Sequence, residues 1–332
     1  DDFFHGPAAE LKGRVLGDKY RVVRELGKGT FGRVVECYDI GTGSRLERVG
    51  LGGWRGALRS KTTALYAVKV IRNVARYVQD AEIEADMLRE INATGGRGVE
   101  LFPVLFEVFD LPSGSKCFVL EKLGMSLHDA IGKNDGGGLS IRFVREISIQ
   151  LFDALDHLHS RGLIHTDLKT ENILLVDNNA NEDDVRIKVI DFGGAVFDKD
   201  NKGVAKTSIV NTRQYRAPEI LLRIGWSFPS DIWAAGCTIA EVALGYQLFP
   251  AESSCEHLAM IEKRIVSGFP HRMLLQGGPI AAKCFDRLSA KHLMEQVLKR
   301  DSLRYLDHEC HPLEEEVGED AVASRLCDLL GG

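Results

Sequence analysis

Alternation of apolar and polar positions dominates the first third of the chain. Residues 19–40, KYRVVRELGKGTFGRVVECYDI, alternate on both sides of a glycine cluster, which predicts two strands joined in a hairpin. ALYAVKVIRN (64–73) predicts a third strand, and the Gly-, Arg- and Ser-rich stretch 41–62 between them predicts a long flexible loop. Over 80–92, Ile83, Met87 and Ile91 recur every fourth residue and predict a helix with one apolar face. Two further strands are expected near 101–109 and 116–121.

The period then lengthens. Phe143, Ile147, Leu151, Leu155 and Leu158 draw an apolar stripe through 141–160, and Gly162 is placed to end that helix. NNANEDDV (178–185) predicts a solvated turn between two short strands. The apolar stretch 231–245 is interrupted by Glu241 and is too short to span a bilayer, so it predicts a buried helix. The pattern implies an α+β protein with two lobes: an N-terminal extension over 1–17, a β-rich lobe over 18–122 and a mainly helical lobe over 123–332.

Composition narrows this only slightly. A length of 332 residues suits two domains or one two-lobed unit, and 44% hydrophobic with 27% charged residues is ordinary for a globular protein. A net charge of -6 argues against a dedicated nucleic-acid binder and agrees with basic protein substrates. The cysteines (Cys37, Cys117, Cys237, Cys255, Cys284, Cys310 and Cys327) are scattered, odd in number and without a C-x-x-C pair. They predict buried thiols in a reducing compartment rather than a disulfide framework. The opening DDFFHGPAAE lacks the basic and apolar regions of a signal peptide, so a soluble, intracellular protein is expected.

The chemistry lies in an ordered series of short motifs. LGKGTFGRV (26–34) sets Gly27, Gly29, Gly32 and Val34 in a G-x-G-x-x-G-x-V pattern, where glycines let backbone N–H groups approach phosphates. A strand rather than a helix follows, against a dinucleotide fingerprint, and no Gly-Lys-Ser/Thr closes the loop as a Walker A motif would. Lys69 sits among apolar strand residues; the plain interpretation is a solvated face, and a functional one needs a carboxylate, either Glu84 or its neighbour Glu82. LIHTDLKTENILL (163–175) has the spacing H-x-D-L-x-x-x-N through His165, Asp167 and Asn172. A helix-capping turn could also use its Asp and Thr. Asp191-Phe192-Gly193 after an apolar strand and Ala217-Pro218-Glu219 beyond it complete the series.

In this order and these contexts, the motifs resemble a eukaryotic protein kinase from about residue 18 onward. Thr166 in HTDLK, and Glu256-His257-Leu258-Ala259-Met260-Ile261-Glu262-Lys263 against the E-H-L-A-M-M-E-R motif, are similar to the LAMMER-type (Cdc-like) dual-specificity kinases of the CMGC group. VVECYD, TRQYRAPEILL and GWSFPSDIW are similar to that family's pattern as well. The resemblance implies ATP and Mg2+ as cofactors, with Asp167 as base and Lys169 stabilising the transferred phosphate. It assigns metal binding to Asn172 and Asp191, and ATP binding to Leu26, Gly27, Lys28, Gly29, Thr30, Phe31, Gly32, Val34, Ala67, Lys69, Glu84, Leu120, Glu121, Leu123 and Leu174. It implies Ser/Thr phosphorylation of Arg/Ser-rich splicing factors, Tyr autophosphorylation, a nuclear (also cytoplasmic) location and a monomer without nucleic-acid or membrane contact. Glu171 matches a position that can read an arginine near the target residue, and Asp183, Asp184 and Glu314-Glu315-Glu316 are further acidic positions, with solvated faces as their plain interpretation.

Several positions depart from the family's pattern. Thr166 cannot pair with an activation-loop phosphate as arginine does, so activity without phosphorylation of that loop is expected; Thr207 and Ser208 remain phosphosite candidates. Tyr215 is expected as a packed structural residue. Thr170 replaces proline, Gly194 replaces serine, Leu120 replaces a phenylalanine gatekeeper, and 41–62 is longer than usual. The chain stops at LCDLLGG, which leaves Glu219 without the arginine that pairs with it in the family and suggests a truncated C-lobe. Competing interpretations are another CMGC kinase with non-splicing substrates, a pseudokinase scaffold, and a metal site at His308, Cys310 and His311.

Overall fold

Leu105, Phe118 and Leu120 line one face of an antiparallel sheet while Val35, Cys37, Val68, Val70, Cys117 and Val119 line the other. The computed structural model describes residues 2–41, 64–93, 98–178, 184–198, 206–265 and 268–285. The loop 41–62 beyond Gly41, most of the turn 178–185, the acidic run 314–316, the cluster at 308–311 and the segment 326–332 lie outside the described residues.

The chain divides into two compact units, 1–95 with 102–123, and 96–101 with 124–332. The first unit holds a six-stranded sheet in the order β1-β2-β3-β4-β6-β5. Its strands are β1 (Val15–Leu16), β2 (Tyr20–Lys28), β3 (Gly32–Asp39), β4 (Leu65–Ile71), β5 (Leu105–Asp110) and β6 (Lys116–Glu121). β2 and β3 form the expected hairpin, with a bulge between Glu25 and Gly27. A short helix α1 (Asp2–His5) and a 3-10 turn (Ala8–Leu11) precede β1 and bury Phe3, Phe4 and Leu11 with Val35, Cys37, Val68, Val70, Cys117 and Val119.

Helix α2 (Ala75–Ala93) covers the opposite face with Ala81 and Ala85, packed on Ile71 and Phe118. Its buried side runs through Ala81, Glu84, Ala85, Met87, Leu88 and Ile91, whereas Ile83 is exposed. That corrects the apolar stripe expected from Ile83. Strict four-residue steps overshoot the 3.6-residue turn, and the small residues Ala81 and Ala85, unremarkable by hydropathy, set the packed face. The strand expected from residue 101 starts at Leu105, after a 3-10 turn at Val99–Leu101.

The second unit is mainly helical: α3 (Leu127–Lys133), α4 (Ile141–His159), α5 (Pro218–Leu221), α6 (Pro229–Leu244), α7 (Ser254–Arg264) and α8 (His271–Phe285), the last kinked at Gly278 before Pro279. Helix α4 buries Ile147, Leu151, Leu155 and Leu158 as the periodicity predicts, with Phe143 only part-buried. Gly162, at φ 74, turns the chain out of this helix in a conformation that a Cβ would strain. Short strands β7 (Leu163–Ile164), β8 (Ile173–Leu175), β9 (Ile187–Val189) and β10 (Val196–Phe197) pair as β7 with β10 and β8 with β9. None of the described helices is long and apolar enough to cross a membrane.

The cysteine expectation needs correction. Cys255 at the start of α7 and Cys284 at the end of α8 are joined in a disulfide, their Cα atoms 4.9 Å apart. Spacing of 29 residues gives no sequence signal; the packing of α7 against α8 creates the pair. Cys37, Cys117 and Cys237 are free and buried, and burial pushes the first two thiols up to about 12.

Candidate active site

The glycine-rich hairpin owes its tightness to one residue above all. A Cβ on Gly32 would fall 2.0 Å from the Val70 carbonyl oxygen, so only glycine lets β3 approach β4 there. Gly29 N–H donates to Gly32 O across the turn, and Arg72 N–H donates to Phe31 O at the tip. Leu26, at the bulge, and Phe31 are exposed. Cβ atoms on Gly27 or Gly29 would meet nothing within 4 Å, so both line open space.

Lys69 and Val34 are directly opposite in the β3–β4 ladder, and Lys69 faces Phe118 on β6. The Lys69 ammonium donates to both Glu84 oxygens, at 2.8 and 2.7 Å. Glu84 is buried on α2. Glu82, the alternative, is exposed and lies 3.4 Å from Lys116 instead. An ammonium held by a buried carboxylate is a charged pair with its donors fixed in direction. Ala67 pairs with Leu120, and Tyr66 with Glu121, on the same strands. Leu120 packs against the cluster of Ile71, Ala81, Ala85 and Phe118, and Leu123 is buried at the unit's end.

In the second unit, the loop after β7 gathers four groups on one carboxylate. Asp167 Oδ2 accepts from Lys169 Nζ at 2.8 Å, and Oδ1 accepts from the Thr212 N–H at 2.9 Å and hydroxyl at 2.8 Å. The Asn172 amide donates to the Asp167 carbonyl oxygen at 2.9 Å and to Oδ2 at 3.3 Å. Lys169 also donates to Thr212 Oγ1 at 2.9 Å. Burial by itself raises the Asp167 carboxyl, but the Lys169 bond and charge, with the two Thr212 bonds, outweigh it and hold the group below its usual value.

The loop is anchored from below. Asp231, wholly buried in the first turn of α6, accepts from the backbone N–H groups of His165 at 2.8 Å and Thr166 at 3.0 Å, and from His159 Nε2 at 3.0 Å. His165 donates through Nε2 to Ile190 O at 3.0 Å and accepts at Nδ1 from Asp167 N–H at 3.2 Å, which fixes its tautomer. Thr166, at φ 66, donates its hydroxyl to Gly194 O. Thr212 and Asp231 were not singled out as site residues from the sequence. An acidic residue opening a hydrophobic helix was the available signal for Asp231, though a helix-dipole role would look the same. Thr212 offered none.

Ile190 N–H donates to Asn172 O at 2.9 Å, so Asn172 and Asp191 flank the ends of the paired strands β8 and β9. Asp191 has φ 67, a conformation Asp tolerates better than bulkier residues. Leu174, on β8, bridges to Ser126. No cluster of three or more His, Cys, Asp or Glu among the described residues could hold a metal. The oxygens of Asn172 and Asp191 still fit magnesium, which takes few protein ligands beside water and phosphate oxygens. With the Asn172 amide nitrogen committed to Asp167, its oxygen is the atom left for a cation.

Thr170 is buried and not merely permissive. Its hydroxyl lies 3.3 Å from Glu241 Oε1, 3.3 Å from Glu171 Oε2 and 3.4 Å from Tyr215 OH. Tyr215 donates to Glu241 Oε2, and burial raises both groups. Tyr215 is thus a packed residue, as expected. Burial also raises Glu219, which has no ion-pair partner among the described residues.

The protein kinase domain family matches residues 44–306 of the chain. The chain belongs to the protein kinase family. It is 35% identical over 333 residues to the dual specificity protein kinase CLK1 of Mus musculus, covering 96% of this chain and 62% of that protein. To the serine/threonine-protein kinase AFC2 of Arabidopsis thaliana it is 36% identical over 322 residues, covering 87% of this chain and 66% of that one. A crystal structure of a kinase domain superposes with a TM-score of 0.77 at 31% identity, covering 99% of this chain and 94% of the other. The chain therefore spans less than two thirds of the length of these curated relatives. The similarities support a Cdc-like, LAMMER-type kinase of the CMGC group, the branch that Thr166 and residues 256–263 indicate, and the kinase fold accounts for the β-rich and helical units.

Proposed function

We propose that the chain is an ATP-dependent protein kinase that transfers the γ-phosphate to Ser and Thr, and to Tyr by autophosphorylation. The observation that carries this reading is Asp167, an ionised carboxylate aimed by Lys169, Thr212 and Asn172. Asp167 orients the substrate hydroxyl and accepts its proton as phosphoryl transfer proceeds. Lys169, already at Asp167, is in reach of the transferred phosphate and offsets its charge. Lys69, directed by Glu84, holds the α- and β-phosphates under the glycine-rich hairpin. Asn172 and Asp191 would hold the magnesium ion, which when bound neutralises charge on the β- and γ-phosphate oxygens.

The substrates proposed are Arg/Ser-rich splicing factors, which places the protein in the nucleus. The net charge of -6 and the exposed Glu171 beside the catalytic loop support a basic substrate. The deciding experiment is transfer of radiolabelled phosphate from ATP to an Arg/Ser-rich protein and to a proline-directed substrate, with wild type beside Asp167→Asn and Lys69→Met. Wild type is expected to label the Arg/Ser-rich protein and both variants to lose transfer by at least about a hundredfold. Absence of transfer by wild type sinks the enzyme reading, and labelling of the proline-directed substrate alone sinks the substrate assignment.

A further inference from the structure

Arg33 is the largest buried side chain among the described residues, 2% exposed, and it follows directly on Gly32 of the glycine-rich hairpin. Alternation along β3 turns Val34 toward one face of the sheet and Arg33 toward the other, among Val35 and Cys37. A guanidinium on an apolar face is costly unless its donors find partners. Its hydrogen-bonded nitrogen, Nη2, finds partners in the segment before β1, donating to Gly6 O at 2.6 Å and Phe4 O at 3.2 Å, while Nε and Nη1 make no hydrogen bond among the described residues. Nη1 lies 3.3 Å from Glu25 Oε2 on β2. One side chain thus joins the N-terminal segment to both limbs of the hairpin.

A second arginine makes the same connection at the hairpin tip. Arg72 N–H donates to Phe31 O at 2.9 Å, and its guanidinium lies 5.4 Å from the centre of the Phe4 ring. Phe4 is itself 3% exposed, packed in the cluster with Phe3 and Leu11. The two residues that hold the loop's base and its tip therefore both rest on residues 3–6.

We propose that the N-terminal segment 2–11 is a docked strap that fixes the conformation of the glycine-rich hairpin through Arg33 and Arg72, and thereby sets nucleotide affinity. Arg33 and Arg72 are positioning residues, since both act from the face opposite Val34 or through the backbone. The effect on nucleotide rests on the protein kinase reading; the effect on the hairpin's conformation does not. With the strap docked, the loop amides are held ready for phosphates; with it released, ordering them opposes binding.

The test uses the full chain with Phe4→Ala, Arg33→Met and Arg33→Lys. Val119→Ala serves as control, because it loosens the same cluster from β6, a strand that does not pair with β3 of the hairpin. Two quantities are read: hydrogen exchange of residues 27–34, and affinity for a fluorescent ATP analogue with magnesium. Phe4→Ala and Arg33→Met are expected to speed exchange of the hairpin about tenfold and weaken the nucleotide about fivefold, with Arg33→Lys in between. Val119→Ala, at a similar loss in Tm, should change neither. Hairpin exchange unaltered in Phe4→Ala and Arg33→Met overturns the inference. So does a Val119→Ala protein that loosens the hairpin equally, which would reduce the strap to general packing. If wild type binds no nucleotide, the kinase reading fails, while hairpin exchange still decides whether the strap controls the loop.

Discussion

The Thr166 hydroxyl donates to the Gly194 carbonyl at 2.6 Å, joining the loop that carries Asp167 to the segment that follows Asp191. The same threonine accepts at its own carbonyl from Asn211 N–H, while its N–H is held by Asp231. A Cβ on Gly194 would stand 2.9 Å from this hydroxyl, so glycine in place of serine leaves room for the bond. Neutral bonds thus join segments that an arginine and a phosphate would otherwise connect.

Thr166→Val keeps the branched shape and removes the donor. The Gly194 carbonyl then lacks this partner, and because Gly194 is exposed to water, stability should fall by only about 0.5–1.5 kcal/mol in urea unfolding. Phosphatase treatment of the wild type should leave at least about half of its turnover, because none of these bonds needs a phosphate. Near-complete loss after dephosphorylation would contradict this account.

Thr170 acts by a different route from the proline it replaces. Proline would stiffen the loop by its ring, whereas Thr170 reaches α6 through Glu241. Thr170→Val should cost about 1–2 kcal/mol, with Thr170→Ser closer to wild type, since only the valine leaves Glu241 short of a donor. Thermal melts of the three proteins decide it; a valine variant as stable as wild type would remove the hydroxyl from any role.

The Cys255–Cys284 bond closes a loop spanning 29 residues between α7 and α8. Chain entropy predicts up to about 3–4 kcal/mol of stabilisation from a loop of that size. Reduction, or Cys255→Ala, should lower Tm by several degrees, about what that free energy implies for a domain of this size. Phosphate transfer at temperatures where the protein stays folded should be unchanged. Mass spectrometry of the oxidised protein should find one disulfide-linked peptide containing both residues.

Elements with one strong period were legible in the sequence, and so was the grouping of Asp167, Lys169 and Asn172, because their spacing is local. The hairpin at 19–40 and helix α4 follow directly from alternation and the 3.6-residue stripe. Residues whose role depends on distant partners were not legible: Asp231 is 66 positions from His165 and Thr212 is 45 from Asp167. Arg33 carried no signal of its own, since alternation cannot say which face is covered by a segment that precedes it. The disulfide was missed for the same reason. Ile83 misled because hydropathy ignores Ala81 and Ala85, whose small size is what lets α2 lie on the sheet.

His257, within the LAMMER-type motif, makes stability depend on pH. It is wholly buried beside Phe249, and burial lowers it from 6.5 to about 3, with the positive charges of Arg216 and Arg213 adding to the effect. The folded protein therefore keeps the imidazole neutral while the unfolded chain protonates it near its ordinary value. Its contribution is present above pH 6.5 and is lost as pH falls toward about 3. Between pH 7 and pH 5.5 this one group should cost about 1 kcal/mol, read as a lower urea midpoint. His257→Gln is less stable at neutral pH but should be missing that part of the slope. A variant with the full wild-type slope would assign the dependence to other groups.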